Sequence, residues 1–208
     1  PALSLHVDAQ DITYFLAKAT VHSPSEHTVE GHRFALEVQL VHNRADLFQT
    51  AVPFIPTHKP KKVSSPQDDP DFPTTIITSI LFEESDNVSR YAKDADSSQF
   101  KFLLDSALLS PPQGSISRRN LTFGPKDAAA YLRLDNLDMD DYYVYRGSLT
   151  TPPCTKNVIW MILGSTQPVT ANQLQNVKAG LRDGLNNRPL QNRSKDQQVF
   201  VISPAQDI

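Results

Sequence analysis

The chain has 208 residues, 39% hydrophobic and 21% charged, with a formal net charge of -3, which is the balance of one ordinary globular domain with a sizeable core. That weakly acidic balance excludes the basic surface a nucleic-acid partner requires, and no apolar run approaches the roughly 18 to 20 residues of a membrane-spanning helix. Sixteen prolines against seven glycines, with few stretches of helical period, predict a mainly β fold whose strands are joined by irregular loops.

In chain order, the sequence opens at Pro1 without an initiator Met or a signal-peptide pattern, which leaves processing, truncation or a further upstream segment open. Ala17 to His22 and Arg33 to His42 have strand composition and are separated by turn residues, which predicts a β-hairpin with an elaborated turn. In the second of these, Phe34, Leu36, Val38 and Leu40 alternate with Ala35, Glu37, Gln39 and Val41, so Glu37 and Gln39 share a face. The same period of two puts Thr20 and His22 on one face of the first strand.

Ala51 to Asp71 is proline-rich and irregular, and holds the one dense basic run, Lys59-Pro60-Lys61-Lys62, read as a solvated loop. Thr74 to Phe82 predicts a buried strand, and Gln99 to Leu109 a short helix that ends at Pro111-Pro112. Asn157 to Leu163, containing Trp160, predicts a central strand. Thr170 to Leu185 predicts a helix with Thr170 as N-cap, Leu174, Val177 and Leu181 on its inner face, and Gly184 near its end.

Two further features bear on compartment. Cys154 is the single cysteine, so it is buried and inert, reactive, or paired outside these residues. Glycosylation acceptors of the form Asn-x-Ser/Thr occur at Asn87, Asn120 and Asn192 and point to a secreted, cell-surface or lumenal protein.

Three blocks in fixed order carry a resemblance. His22-Ser23-Pro24-Ser25-Glu26-His27 with Leu36-Glu37-Val38-Gln39-Leu40-Val41-His42 closely resembles the zinc-site hairpin of the α-carbonic anhydrases, in its plant, algal and bacterial style. Tyr145 to Thr155, which includes Thr150, Thr151 and Cys154, is similar to that family's active-site loop, and Asn186 to Gln191 to its C-terminal signature. The resemblance implies a large, twisted, mostly antiparallel central sheet with short helices and a conical pocket, in a single domain over 1–208. The family's usual N-terminal segment, which in secreted members carries a cysteine paired to the position matched by Cys154, is not among these residues, so it is expected either to lie outside them or to be replaced by another element.

The same resemblance implies a damaged metal site. Zinc hydration in carbonic anhydrases uses three neutral imidazoles and an open fourth position, lowering the pKa of bound water to about 7. By motif the three ligands fall on Thr20, His22 and Gln39, so one histidine remains. A hydroxyl and an amide oxygen are weak zinc donors, and neither zinc nor any other cofactor is expected. Glu37 matches the carboxylate that orients the third histidine, and Glu26 with Thr150 the pair that orients zinc-bound hydroxide. Without a metal the two carboxylates are expected to hydrogen-bond the Gln39 region and loop amides, and His27 and His42 to have structural hydrogen bonds.

The expected function is therefore a catalytically inactive carbonic-anhydrase-like domain with a structural, assembly or binding role. Its expected partners are other proteins of an extracellular or surface assembly, with glycan as a further ligand class. Two alternatives stand beside it: an active hydratase with an unconventional ligand set, and a small-molecule or anion binder using the former zinc cone through His22, Gln39, Thr150 and Thr151.

Overall fold

Strands form where β-branched and aromatic residues can pack on two faces. The computed structural model describes residues 2–7, 10–45, 72–84, 120–121, 139–181, 185–192, 195 and 197–203. Its strands are β1 (Ala2–Val7), β2 (Gln10–His22), β3 (Thr28–Val29), β4 (His32–Arg33), β5 (Leu36–Arg44), β6 (Thr75–Glu84), β7 (Asn120–Leu121), β8 (Tyr142–Ser148), β9 (Lys156–Leu163), β10 (Gln167–Val169) and β11 (Val199–Ile202), and its helix is α1 (Ala171–Ala179).

Nine strands make one sheet in the order β1-β2-β5-β6-β9-β8-β11, with β7 added on β2 and β10 on β6. The pairs β6–β9 and β6–β10 are parallel and the other pairings antiparallel. This is the large, mostly antiparallel sheet that the resemblance implies. The region from Ala51 to Asp71, the helix expected over Gln99 to Leu109, and Asn87 lie outside the described residues.

The expected hairpin is β2 paired with β5, but its turn holds a hairpin of its own, β3–β4, closed by Glu30 and Gly31. Both have positive φ, 51° and 81°, the geometry of a two-residue turn with inverted dihedrals, which glycine adopts without strain. The second strand therefore starts at Leu36, not Arg33. A bulge between Leu16 and Lys18 resets the register of β2, after which Thr20 opposes Gln39 and His22 opposes Glu37.

The sheet has a core on each face. Ala19, Val21, Leu36, Val38, Leu40, Ile80, Phe82 and Leu163 pack under Leu174 and Val177 of α1. On the other face Val41, Ile77, Leu81, Val158, Trp160 and Ile162 form a second cluster, and Phe34 joins it. Simple alternation puts Phe34 with Leu36. The break between β4 and β5 turns it to the opposite side. Truncating a fully buried leucine such as Leu36 in such a core costs about 2 to 5 kcal/mol.

Helix α1 is shorter than its apolar pattern suggests. Thr170 and Gln173 form a reciprocal capping box, and Gly180 caps the other end, before Leu185. Leu181 still packs, half-buried, on the first cluster.

Candidate functional site

Strand register assembles the centre of the site. Thr20 of β2, Gln39 of β5 and Ser79 of β6 lie in one row across the sheet, with His22 and Glu37 in the next. Thr20, His22, Glu26, Glu37, Gln39 and Ser79 are all buried, so each polar atom needs a partner inside the protein.

The turn after His22 is fixed by its own serines. Ser25 exchanges bonds with Phe34 through both backbone and Oγ, and its Oγ donates to the His27 carbonyl at 2.6 Å. The Arg33 guanidinium donates to the Ser25 carbonyl. That frame aims the Glu26 and His27 amides at Glu37 Oε2, at 2.8 and 2.9 Å.

Glu37, fully buried, is the hub. Its Oε1 accepts from His27 Nδ1 at 2.8 Å, Gln39 Nε2 at 2.9 Å and Ser79 Oγ at 2.8 Å. A carboxylate only accepts, so His27 carries its proton on Nδ1. Burial by itself would raise the Glu37 pKa, but the His27 charge and these donors outweigh it and bring it down to about 2. Burial likewise opposes charge on His27, yet Glu37 and Glu26 leave its pKa raised. His27 Nε2 meets the Tyr145 hydroxyl at 2.7 Å, and burial with the two nearby carboxylates pushes the Tyr145 pKa up.

Gln39 occupies the centre. Its Nε2 donates to Glu26 Oε2 and Glu37 Oε1, both at 2.9 Å, which leaves Oε1 facing Thr20 Oγ1 at 3.4 Å. His22 Nε2 lies 3.3 Å from the same hydroxyl. Thr20 has a single proton, so the consistent assignment runs one way: His22 donates to Thr20, Thr20 to Gln39, and Gln39 to the carboxylates. His22 Nδ1 lies 3.3 Å from Glu26 Oε1, within ion-pair distance, and has no hydrogen-bond partner.

These residues do not fit a zinc hydratase centre. One imidazole, one hydroxyl and an amide oxygen committed to that hydroxyl are not the nitrogen-rich set such zinc requires. Among the described residues no three of His, Cys, Asp and Glu are grouped to hold a metal ion.

A cavity of about 290 Å³ opens beside this network, lined by Thr20, His22, Glu26, Thr150, Thr151 and Cys154 among others. Thr150 and Thr151 thus reach the site, whereas the oxygens of Glu26 are engaged by Gln39 Nε2 and by the Arg188 amide at 2.8 Å. Cys154 is half-buried and free. His42 lies apart, buried, with Nδ1 donating to the Leu40 carbonyl at 3.0 Å. Asn192 is exposed, and the Asn120 backbone lies in β7 opposite Thr20.

Sequence reasoning missed Tyr145, Ser79, Asn186 and Arg188. Asn186 ties the C-terminal signature to β2, accepting from the Ser23 amide at 2.9 Å and donating to the Val21 carbonyl at 2.7 Å. The resemblance of the Asn186 to Gln191 block to the family's C-terminal signature was the available signal.

The eukaryotic-type carbonic anhydrase family matches residues 7–200. The chain belongs to that family. Alpha carbonic anhydrase 8 of Arabidopsis thaliana is 30% identical over 193 residues, covering 92% of this chain and 39% of that protein. Dioscorin DB3L of Dioscorea polystachya is 28% identical over 182 residues, covering 86% of this chain and 52% of that one. The chain thus spans about half, or less, of the length of these curated relatives. In fold it is similar to dioscorin crystallised with ascorbate, with a TM-score of 0.57 at 24% identity over 96% of this chain and 66% of that one.

Proposed function

We propose that residues 1–208 form one carbonic-anhydrase-like domain that does not hydrate carbon dioxide and serves a structural, assembly or binding role outside the cytosol. The observation that carries this reading is the position of Gln39, whose amide bridges Glu26 and Glu37 while its oxygen faces Thr20. The carboxylates are satisfied by protein donors, so the network closes without a metal. The three acceptor asparagines support the extracellular placement.

Metal analysis of the purified protein together with a stopped-flow hydration assay tests the first part. Less than stoichiometric zinc and no turnover above buffer are expected; bound zinc with sulfonamide-sensitive turnover overturns it in favour of a hydratase with an unconventional ligand set. Mass spectrometry of the natively expressed protein tests the second, with glycan expected at Asn87, Asn120 or Asn192 and bare asparagines at all three counting against secretion.

A second reading is favoured by one atom. His22 Nδ1 is buried beside the 290 Å³ cavity and has no hydrogen-bond partner, which is the situation a small polar ligand relieves. Dioscorin was crystallised with ascorbate, so ascorbate is the first probe. Calorimetric titration is expected to show saturable binding that His22→Ala removes, and an unchanged baseline dismisses the reading.

A further inference from the structure

Glu26 and Glu37 are both buried, yet they are answered differently. Glu37 pairs with His27, whose Nδ1 proton points at it from 2.8 Å, and also accepts from Gln39, Ser79 and the amides of Glu26 and His27. The hydrogen-bond donors to Glu26 are neutral: the Gln39 side-chain amide on Oε2 and the Arg188 backbone amide on Oε1. The side chain within ion-pair distance of it is His22, with Nδ1 at 3.3 Å from Oε1.

The chain of donors through Thr20 decides what His22 can offer. A neutral ring has one N–H, and Nε2 commits it to Thr20, so Nδ1 presents a lone pair. That lone pair and a carboxylate oxygen face each other with no hydrogen between them. His22 is only 6% exposed and Nδ1 has no hydrogen-bond partner, which leaves a buried acceptor unsatisfied. Both side chains border the cavity of about 290 Å³, together with Thr150 and Thr151, whose hydroxyls accept as well as donate. Arg188 borders it too, but gives Glu26 its backbone amide.

We propose that this cavity takes a small primary amine in its ammonium form, which supplies the donors and the positive charge that Glu26 and His22 lack. One N–H points to Glu26 Oε1 and a second to His22 Nδ1. Two acceptors 3.3 Å apart can both be reached at about 2.9 Å from a single nitrogen, and the third N–H is free for a threonine hydroxyl. The volume lies at the small end of ligand pockets, which limits the organic part to a few heavy atoms. This rests on the second reading above, that the cavity takes a small polar ligand, and gives that ligand its charge, because an anion in the same place meets the Glu26 carboxylate.

Ethanolamine, ethylene glycol and glycolate are close in size and differ in charge. Each is titrated at constant ionic strength into the nitrogen-15-labelled chain, with the histidine ring nitrogens and the backbone amides followed by NMR. Ethanolamine is expected to saturate with a dissociation constant of about a millimolar and to move the resonances of His22 Nδ1 and of the Thr150 and Thr151 amides. Ethylene glycol is expected to bind about tenfold or more weakly, and glycolate more weakly still. His22→Phe, which keeps a ring without its nitrogens, is expected to weaken ethanolamine about tenfold. Glu26→Gln is expected to abolish the preference for ethanolamine over ethylene glycol; should either variant fail to fold, the ranking of the three compounds on the unaltered chain decides. Equal affinity for ethanolamine and ethylene glycol, a spectrum that ethanolamine leaves unchanged, or a proton already on Nδ1 of the free protein at neutral pH overturns the proposal. Binding of ascorbate or glycolate without ethanolamine overturns the ammonium assignment alone and leaves the small-ligand reading standing.

Discussion

Gln39 Nε2 lies 2.9 Å from Glu37 Oε1, two residues away on the same face of β5, and the same nitrogen reaches Glu26 at 2.9 Å. The amide is thus the donor that keeps two buried carboxylates apart. Gln39→Glu replaces it with a third carboxylate. The variant is expected to lose about 3 to 5 kcal/mol at pH 7, measured by urea denaturation. Both neighbours raise the new carboxyl's pKa, so its neutral form is favoured in the folded state and part of the loss returns as pH falls. Gln39→Leu, which removes the donor and the acceptor facing Thr20 without adding a charge, is expected to cost about 1 to 3 kcal/mol.

Restoring the missing imidazoles tests the other side of the same relationship. Thr20→His with Gln39→His completes three histidines beside His22, with Glu37 placed to orient the new ring at position 39. The double variant is expected to take up about one zinc per chain, read by elemental analysis, with a higher unfolding temperature in the presence of zinc. Uptake equal to that of the unaltered chain contradicts the assignment of these positions.

His42 supplies a pH dependence. Burial holds its pKa at about 4, against 6.5 when unfolded, so the folded state favours the neutral ring. Its contribution is complete above pH 6.5 and is lost as pH falls toward 4, because the unfolded chain then binds the extra proton. By pH 5 the loss is about 2 kcal/mol. Denaturation of the protein and of His42→Gln at pH 7.5 and pH 5 is expected to show a smaller pH effect in the variant.

Trp160 gives an optical reporter. Its indole donates to the Ser148 carbonyl at 3.1 Å and stacks on Tyr145 with centroids 6.3 Å apart. A Cβ on Gly147 would stand 2.8 Å from the Tyr145 ring and 3.0 Å from the Trp160 ring. Gly147→Ala is expected to cost about 1 to 3 kcal/mol and to change the emission of the single tryptophan as Tyr145 gives way.

Much of this was legible because it is local. The alternation in β5 put Glu37 and Gln39 on one face, and the turn motif placed Glu26 and His27. The role of Tyr145 was not legible, since its partner His27 is 118 residues away and the successive pairings of β5, β6, β9 and β8 bring them together. Arg188 is hidden in the same way, 162 residues from Glu26 and acting through its backbone. Strands β8 and β11 lack a clean alternation.

The row Thr20, Gln39 and Ser79 has a use that needs no ligand. Sliding β5 by one residue against β2 would carry Glu37 and Gln39 to the face occupied by Leu163 and Val169 and strip both of their donors and acceptors. An all-apolar strand could slip at little cost; this one cannot. The row therefore acts as an alignment key for β2, β5 and β6, fixing their register through buried polar partners.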